Sequence, residues 1–242
     1  MSGRSHTTGV PLTLVATTNR QAFLVEVGLI DSRSTLWSCN QWNNCRMIRV
    51  VLFDLDGVIR HFDRDYTTGI ELRHGLAPGS LEGIAFAKPL IEAVTTGRIS
   101  RAEWIRQVGD RAGSVQAADE WGVQPAALDV AVLELADKVR SLGLRTAVLT
   151  NGTDTIPAEV AAMGIAKRFD AIFNSADIGF TKPDVRAFRH VLDALDVGPG
   201  EIFFTDDSAS NRSGAASLSM RTHLFEGVEG LRTRLIAEGV AV

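Results

Sequence analysis

Apolar positions in this chain fall into short unbroken runs, separated by stretches in which they return every three or four residues. Arg49-Val50-Val51-Leu52-Phe53 and Leu144–Thr150 are rich in β-branched and apolar residues and read as buried strands. Ala171-Ile172-Phe173, Glu201–Thr205 and Arg221–Phe225 read the same way. Between them, Val185, Phe188, Leu192 and Leu195 form the single apolar stripe of a helix packed on a core. Ala126–Leu142 carries a similar stripe, with Gly143 as its cap. Strands alternating with helices predict an α/β fold, a Rossmann-like three-layer parallel sheet covered on both faces.

Two stretches break the alternation. Residues 66–124 look helix-rich, with Pro78-Gly79, Trp104 and Trp121-Gly122 as markers. An insertion leaving the carboxyl end of the first strand lies where ligands bind in such sheets, so it reads as an inserted helical cap over residues 47–65 and 125–242. Residues 1–46 hold no sustained period, and their apolar pieces, Val10–Val15 and Ala22–Val25, are shorter than the ~7–15 residues of a secretory signal. Met47 stands directly before the first strand, so residues 1–46 are expected to be a dispensable or poorly ordered extension.

Composition narrows the partners. Of the 242 residues, 45% are hydrophobic and 22% charged, an ordinary globular balance. With 29 acids against 25 bases the net charge is −4, so no basic excess points to nucleic acid or an anionic membrane. No apolar stretch approaches the ~20 residues of a membrane-spanning helix. The only cysteines, Cys39 and Cys45, precede the first strand, and the cysteine-free remainder is compatible with a cytoplasmic protein. Nothing in the sequence fixes an oligomeric state.

Polar clusters follow the strand-like runs. Asp54 and Asp56 close the first run and are followed by Gly57. Side chains two apart on a strand point the same way, so the two carboxylates are expected to converge near one point. Anions that close need a cation or a shared proton, and a hard oxygen-seeking ion such as Mg²⁺ is the usual answer. Thr150-Asn151-Gly152 offers a hydroxyl, an amide and a close-approaching backbone N–H, suited to cradling an oxyanion or to an ordinary turn. Lys182, before the helix that starts near Pro183-Asp184, is placed either to offset carboxylate and phosphate charge or to sit in solvent. Asp206-Asp207-Ser208 is read either as a metal site or as a helix cap.

In that order, Asp54-Leu55-Asp56-Gly57-Val58, Thr150-Asn151, Lys182-Pro183-Asp184 and Asp206-Asp207 resemble the four motifs of the haloacid dehalogenase-like hydrolase superfamily, over roughly residues 47–230. The resemblance implies that Asp54 is a nucleophile that forms an aspartyl-phosphate, and that Asp56 is general acid and then base. It implies Mg²⁺ held by Asp54, by the backbone carbonyl of Asp56 and by Asp207, with Asp206 behind them. Thr150 and the N–H groups around Asn151 and Gly152 would hold phosphate oxygens, and Lys182 would balance the charge. Retention of Asp56 favours phosphoryl transfer over dehalogenation, because a halide leaving group needs no proton. Val58 and Asn211 depart from the frequent Thr and Asp. The insertion resembles the helical cap of the subgroup containing small-metabolite phosphatases and β-phosphoglucomutase. The implied activity is a phosphatase acting on a small phosphorylated metabolite, with a phosphomutase or a non-catalytic binding protein as alternatives. Arg60, His61 and Lys88 are candidates for substrate contacts that read more readily as solvated surface residues, and no role is assigned to them.

Overall fold

The computed structural model describes residues 47–242, so the expectation for residues 1–46 lies outside the described residues. The chain enters through β1 (Val50–Phe53), then β2 (Arg60–Phe62), and five helices follow: α1 (Arg64–Arg73), α2 (Ser80–Ala85), α3 (Leu90–Thr95), α4 (Arg101–Ala112) and α5 (Val115–Gly122). β3 (Ala126–Leu128) leads into α6 (Val130–Ser141), β4 (Arg145–Thr150), α7 (Ile156–Ala162), β5 (Ala171–Asn174) and the short α8 (Ser175–Ile178). The chain closes with α9 (Val185–Leu195), β6 (Ile202–Asp206), α10 (Ala209–Ser217), β7 (Arg221–Leu224) and α11 (Val228–Ala237).

Five strands form one parallel sheet in the order β5-β4-β1-β6-β7. β1 is central, with Val50 opposite both Arg145 and Ile202. Its run of four apolar residues, all buried, follows from that position. Val51 and Phe53 enter one core cluster with α6 and α11, whereas Val50 and Leu52 enter the other with α9. A strand covered on both faces has no polar side to show, which explains the unbroken run. This is the expected three-layer α/β architecture. Among the described residues no helix is long and apolar enough to cross a membrane.

The stripe expected to start a helix at Ala126 is divided. Ala126–Leu128 pairs antiparallel with Arg60–Phe62 instead, and α6 starts after Asp129, whose Oδ1 accepts from Val132 N at 3.0 Å. Ala-Ala-Leu is compatible with either state, and its partner lies more than sixty residues away, so the local pattern has no access to the pairing. Helices α1–α5 leave and return through this two-stranded ribbon. They share their own apolar cluster, in which Trp104 and Trp121 meet edge to face at 5.1 Å. Buried Glu71 accepts from Gly79 N (2.6 Å) and Leu81 N (2.8 Å), which satisfies orphan donors at the start of α2.

Candidate active site

All the parallel strands point their carboxyl ends to one edge, and the polar clusters sit along it. Asp54 lies one residue past β1, where its N–H still donates to Thr205 O at 2.9 Å. Asp54 Oδ1 accepts from Leu55 N (2.7 Å) and pairs with Lys182 Nζ (2.7 Å). Lys182 Nζ also donates to Asp206 Oδ2 at 2.7 Å. Asp206 is fully buried, and its other oxygen accepts from Ser208 N (2.8 Å) and Asn211 Nδ2 (3.2 Å). Of the two readings for Asp206-Asp207, neither acid caps α10; Ser208 does, accepting from Asn211 N. Lys182 is 3% exposed, so its solvent reading fails. The α9 start signal does hold, with Asp184 as the cap.

Asn151 holds the lysine in place. Its Nδ2 donates to Lys182 O (2.9 Å) and its Oδ1 accepts from Lys182 N (2.8 Å). The amide expected to touch an oxyanion is thus occupied by the main chain of the lysine loop. Gly152 packs tightly, since a Cβ there would lie 2.8 Å from Asn174 Oδ1. Thr150 is buried at the end of β4, beside β1.

Charge is unevenly distributed. Oxygens of Asp54, Asp206 and Asp207 lie within 4.8 Å of one another, and one ammonium serves the group. Burial pushes the Asp54 carboxyl up to about 8; Lys182 opposes the rise and Asp206 adds to it. Asp207 is also raised, by burial and then by Asp206. Burial works against the Lys182 ammonium, but the two carboxylates hold its pKa above the ordinary value. An all-oxygen, over-negative cluster fits a hard divalent cation. Oxygens sharing one Mg²⁺ stand at most about 4 Å apart, so small side-chain rotations suffice.

Asp56 is not part of that cluster. β1 ends at Phe53, so the alternation that predicted convergence stops before either acid. A turn follows instead, with Gly57 N donating to Arg60 O and Arg60 N to Leu55 O, both at 2.8 Å. Asp56 thereby faces Arg60, whose Nε reaches Oδ1 at 2.6 Å and whose Nη2 reaches Oδ2 at 3.1 Å. Arg60 Nη1 donates to Glu159 Oε2 at 2.6 Å. Arg60 is therefore 4% exposed, which corrects the surface reading; two carboxylates compensate the buried guanidinium. Lys88 stays exposed beside Glu92, and His61 is half exposed, 3.6 Å from Asp129.

Asp56, Arg60 and Glu159 line a cavity of about 320 Å³ between the sheet edge and the helices, walled by Phe62, Phe86 and Trp104. Glu159 had no sequence signal, because it lies on α7, ninety-nine residues from Arg60. Arg60 stands four residues after Asp56, but that spacing identifies a pair only once the turn is known.

A family model described as haloacid dehalogenase-like hydrolase matches residues 48–218. A Mus musculus protein described as acyl-CoA dehydrogenase family member 10 is 27% identical over 199 residues, which are 73% of this chain and 18% of that protein. The chain thus spans less than a fifth of that relative. Validoxylamine A 7'-phosphate phosphatase of Streptomyces hygroscopicus subsp. limoneus is 25% identical over 187 residues, covering 73% of this chain and 87% of the relative. Among solved structures, a family enzyme from Bacteroides thetaiotaomicron in complex with magnesium and inorganic phosphate superposes with a TM-score of 0.60. It is 23% identical and covers 73% of this chain and 93% of its own. With the family model spanning most of the sheet and its polar edge, this chain belongs to the haloacid dehalogenase-like hydrolases.

Proposed function

We propose that the chain is a Mg²⁺-dependent phosphatase acting on a small phosphorylated metabolite through an aspartyl-phosphate. The observation that carries this reading is the pairing of buried Asp54 with Lys182 beside Asp206 and Asp207, with a second acid, Asp56, in the adjoining cavity. The relative named as a phosphate phosphatase supports it.

Asp54 Oδ1 accepts from Leu55 N and Lys182, and an oxygen of this carboxylate attacks phosphorus. As the new O–P bond forms, the bond to the leaving alcohol breaks and Asp56 supplies its proton. Water then attacks the phosphorus, Asp56 takes the water's proton, and phosphate leaves Asp54. Lys182 offsets negative charge at Asp54, and Asn151 keeps the lysine there. Thr150 and the N–H groups near Gly152 hold phosphate oxygens, with the Asn151 amide acting through Lys182. Asp54, Asp207 and the Asp56 carbonyl would hold Mg²⁺, which supplies Lewis-acid neutralisation of the entering ester. Helices α1–α5 serve as the cap, and the aromatic wall of the cavity faces the leaving alcohol. A halide leaving group would need no proton from Asp56, which favours a phosphate ester.

The test is release of inorganic phosphate from a panel of phosphate monoesters, with Mg²⁺ and with a chelator. Release is expected with Mg²⁺ alone, and Asp54→Asn is expected to abolish it. Wild-type turnover by that variant, or no release across the panel, overturns the proposal. An isomeric phosphate ester formed in place of free phosphate identifies a mutase instead.

A further inference from the structure

The geometry points to Arg60 as a positioning residue that aims the Asp56 carboxylate at the leaving oxygen, and to Glu159 as the group that holds Arg60. This rests on the phosphatase reading above and adds a component to it.

Every guanidinium nitrogen of Arg60 is committed. Nε and Nη2 form a fork on the two Asp56 oxygens, at 2.6 and 3.1 Å, and Nη1 reaches Glu159 at 2.6 Å. A planar fork fixes the plane and rotamer of a carboxylate, which a point charge does not do. Asp56 needs that constraint, because its side chain is 41% exposed and opens on the cavity. Without a partner it would sample several staggered rotamers, and a misaimed acid transfers protons poorly.

Arg60 is itself fixed on two sides. Its N–H and carbonyl close the turn onto Leu55 and Gly57. Glu159 is held on α7 by Thr155 Oγ1, which donates to Oε1 at 2.6 Å. That same Oε1 lies 3.7 Å from Nε of Arg101, the first residue of α4, whose backbone N–H donates to Asp154 Oδ1 at 2.7 Å. A line of alternating charge, Asp56–Arg60–Glu159–Arg101, thus runs from the proton donor to the helices over the cavity.

A residue that only stabilises the fold slows the alcohol-releasing step of all substrates together; one that aims a general acid slows that step only where the leaving group needs its proton. Leaving-group dependence separates the two. An alkyl phosphate expels an alkoxide that must be protonated, whereas p-nitrophenyl phosphate expels a stable anion. In Arg60→Ala, pre-steady-state release of the alcohol from an alkyl phosphate is expected to fall roughly 10²–10⁴-fold, the usual worth of general acid catalysis. The stopped-flow burst of p-nitrophenolate is expected to stay within a few-fold of wild type. A slow second phase is expected after it, because hydrolysis of the aspartyl-phosphate uses Asp56 as base.

Arg60→Lys keeps the charge without the fork and provides a second variant if the alanine protein does not fold. It is expected to show the same split, with a smaller loss. Equal losses in the alcohol-releasing step of both substrates, or no loss in that step on either, overturn the role of Arg60. A wild-type protein that releases phosphate from neither substrate fails earlier, at the phosphatase reading, and takes this inference with it.

Discussion

Gly57 illustrates how closely single residues are constrained at this site. Its φ is +88°, a region that side chains disfavour, and a Cβ there would overlap the carboxylate of Asp207. The glycine turns the chain from Asp56 toward Arg60 and leaves room for the proposed metal ligand. Gly57→Ala is expected to displace Asp207, and the Mg²⁺ concentration for half-maximal phosphate release should rise roughly 10–100-fold. A magnesium titration of activity measures this; an unchanged midpoint would separate Gly57 from Asp207. Asp54, Asp207 and Lys182 were legible in the sequence because each directly follows or precedes an element with a clear pattern. Asn151 was legible as a residue of the candidate site, but its partner, the Lys182 main chain in place of an oxyanion, was not, since that depended on where the lysine loop passes. Arg60 was misread as a surface residue because burial of a charge depends on partners, and Glu159 is remote in sequence.

At the scale of elements, the lysine loop is wedged between two helices. Gly214 on α10 lies so close to it that a Cβ would overlap Pro183 O and stand 2.9 Å from the Phe188 ring of α9. Gly214→Ala is expected to destabilise the protein by about 1–3 kcal/mol through overpacking and to move Lys182 from between Asp54 and Asp206. Gly83→Ala on α2 is the matched control. Nothing lies within 4 Å of its added methyl, so it should be neutral or stabilising by up to about 1 kcal/mol. Denaturant melts and phosphate release together check the pair; equal stability of the two variants would refute the wedge. The parallel strands and the helices α6 and α9 were readable from their periods, because burial on one or two faces writes itself into the local pattern. The β2–β3 ribbon was not, because each short strand acquires its state from the other across the inserted helices.

On the scale of the whole molecule, the described chain has separate apolar cores. The clusters on the two sheet faces contain no residue from α1–α5, and the third cluster runs only from Ile70 to Trp121, with its partly buried neighbours also between Tyr66 and Ala112. The helices touch the sheet layer at the β2–β3 ribbon, at the approach of Gly97 to Ala176 O, at the Ser175 hydroxyl donating to Thr95 O at 2.6 Å, and where Arg101 meets Glu159 and Asp154. Separate apolar cores mean that the helical layer can lose structure while the sheet keeps its own. Trp104 is the residue on which to test this. It is buried, its Nε1 donates to Ala85 O at 3.0 Å, and its ring packs against Trp121. Trp104→Ala is expected to cost the helical layer about 3–5 kcal/mol. Hydrogen exchange should then accelerate through α1–α5 by a factor matching that loss, with amides of β1, β4 and β6 exchanging at wild-type rates. Acceleration spread evenly over helices and sheet would mean one cooperative unit, and the layer proposed as a cap would then not move independently of the sheet edge that carries the candidate site.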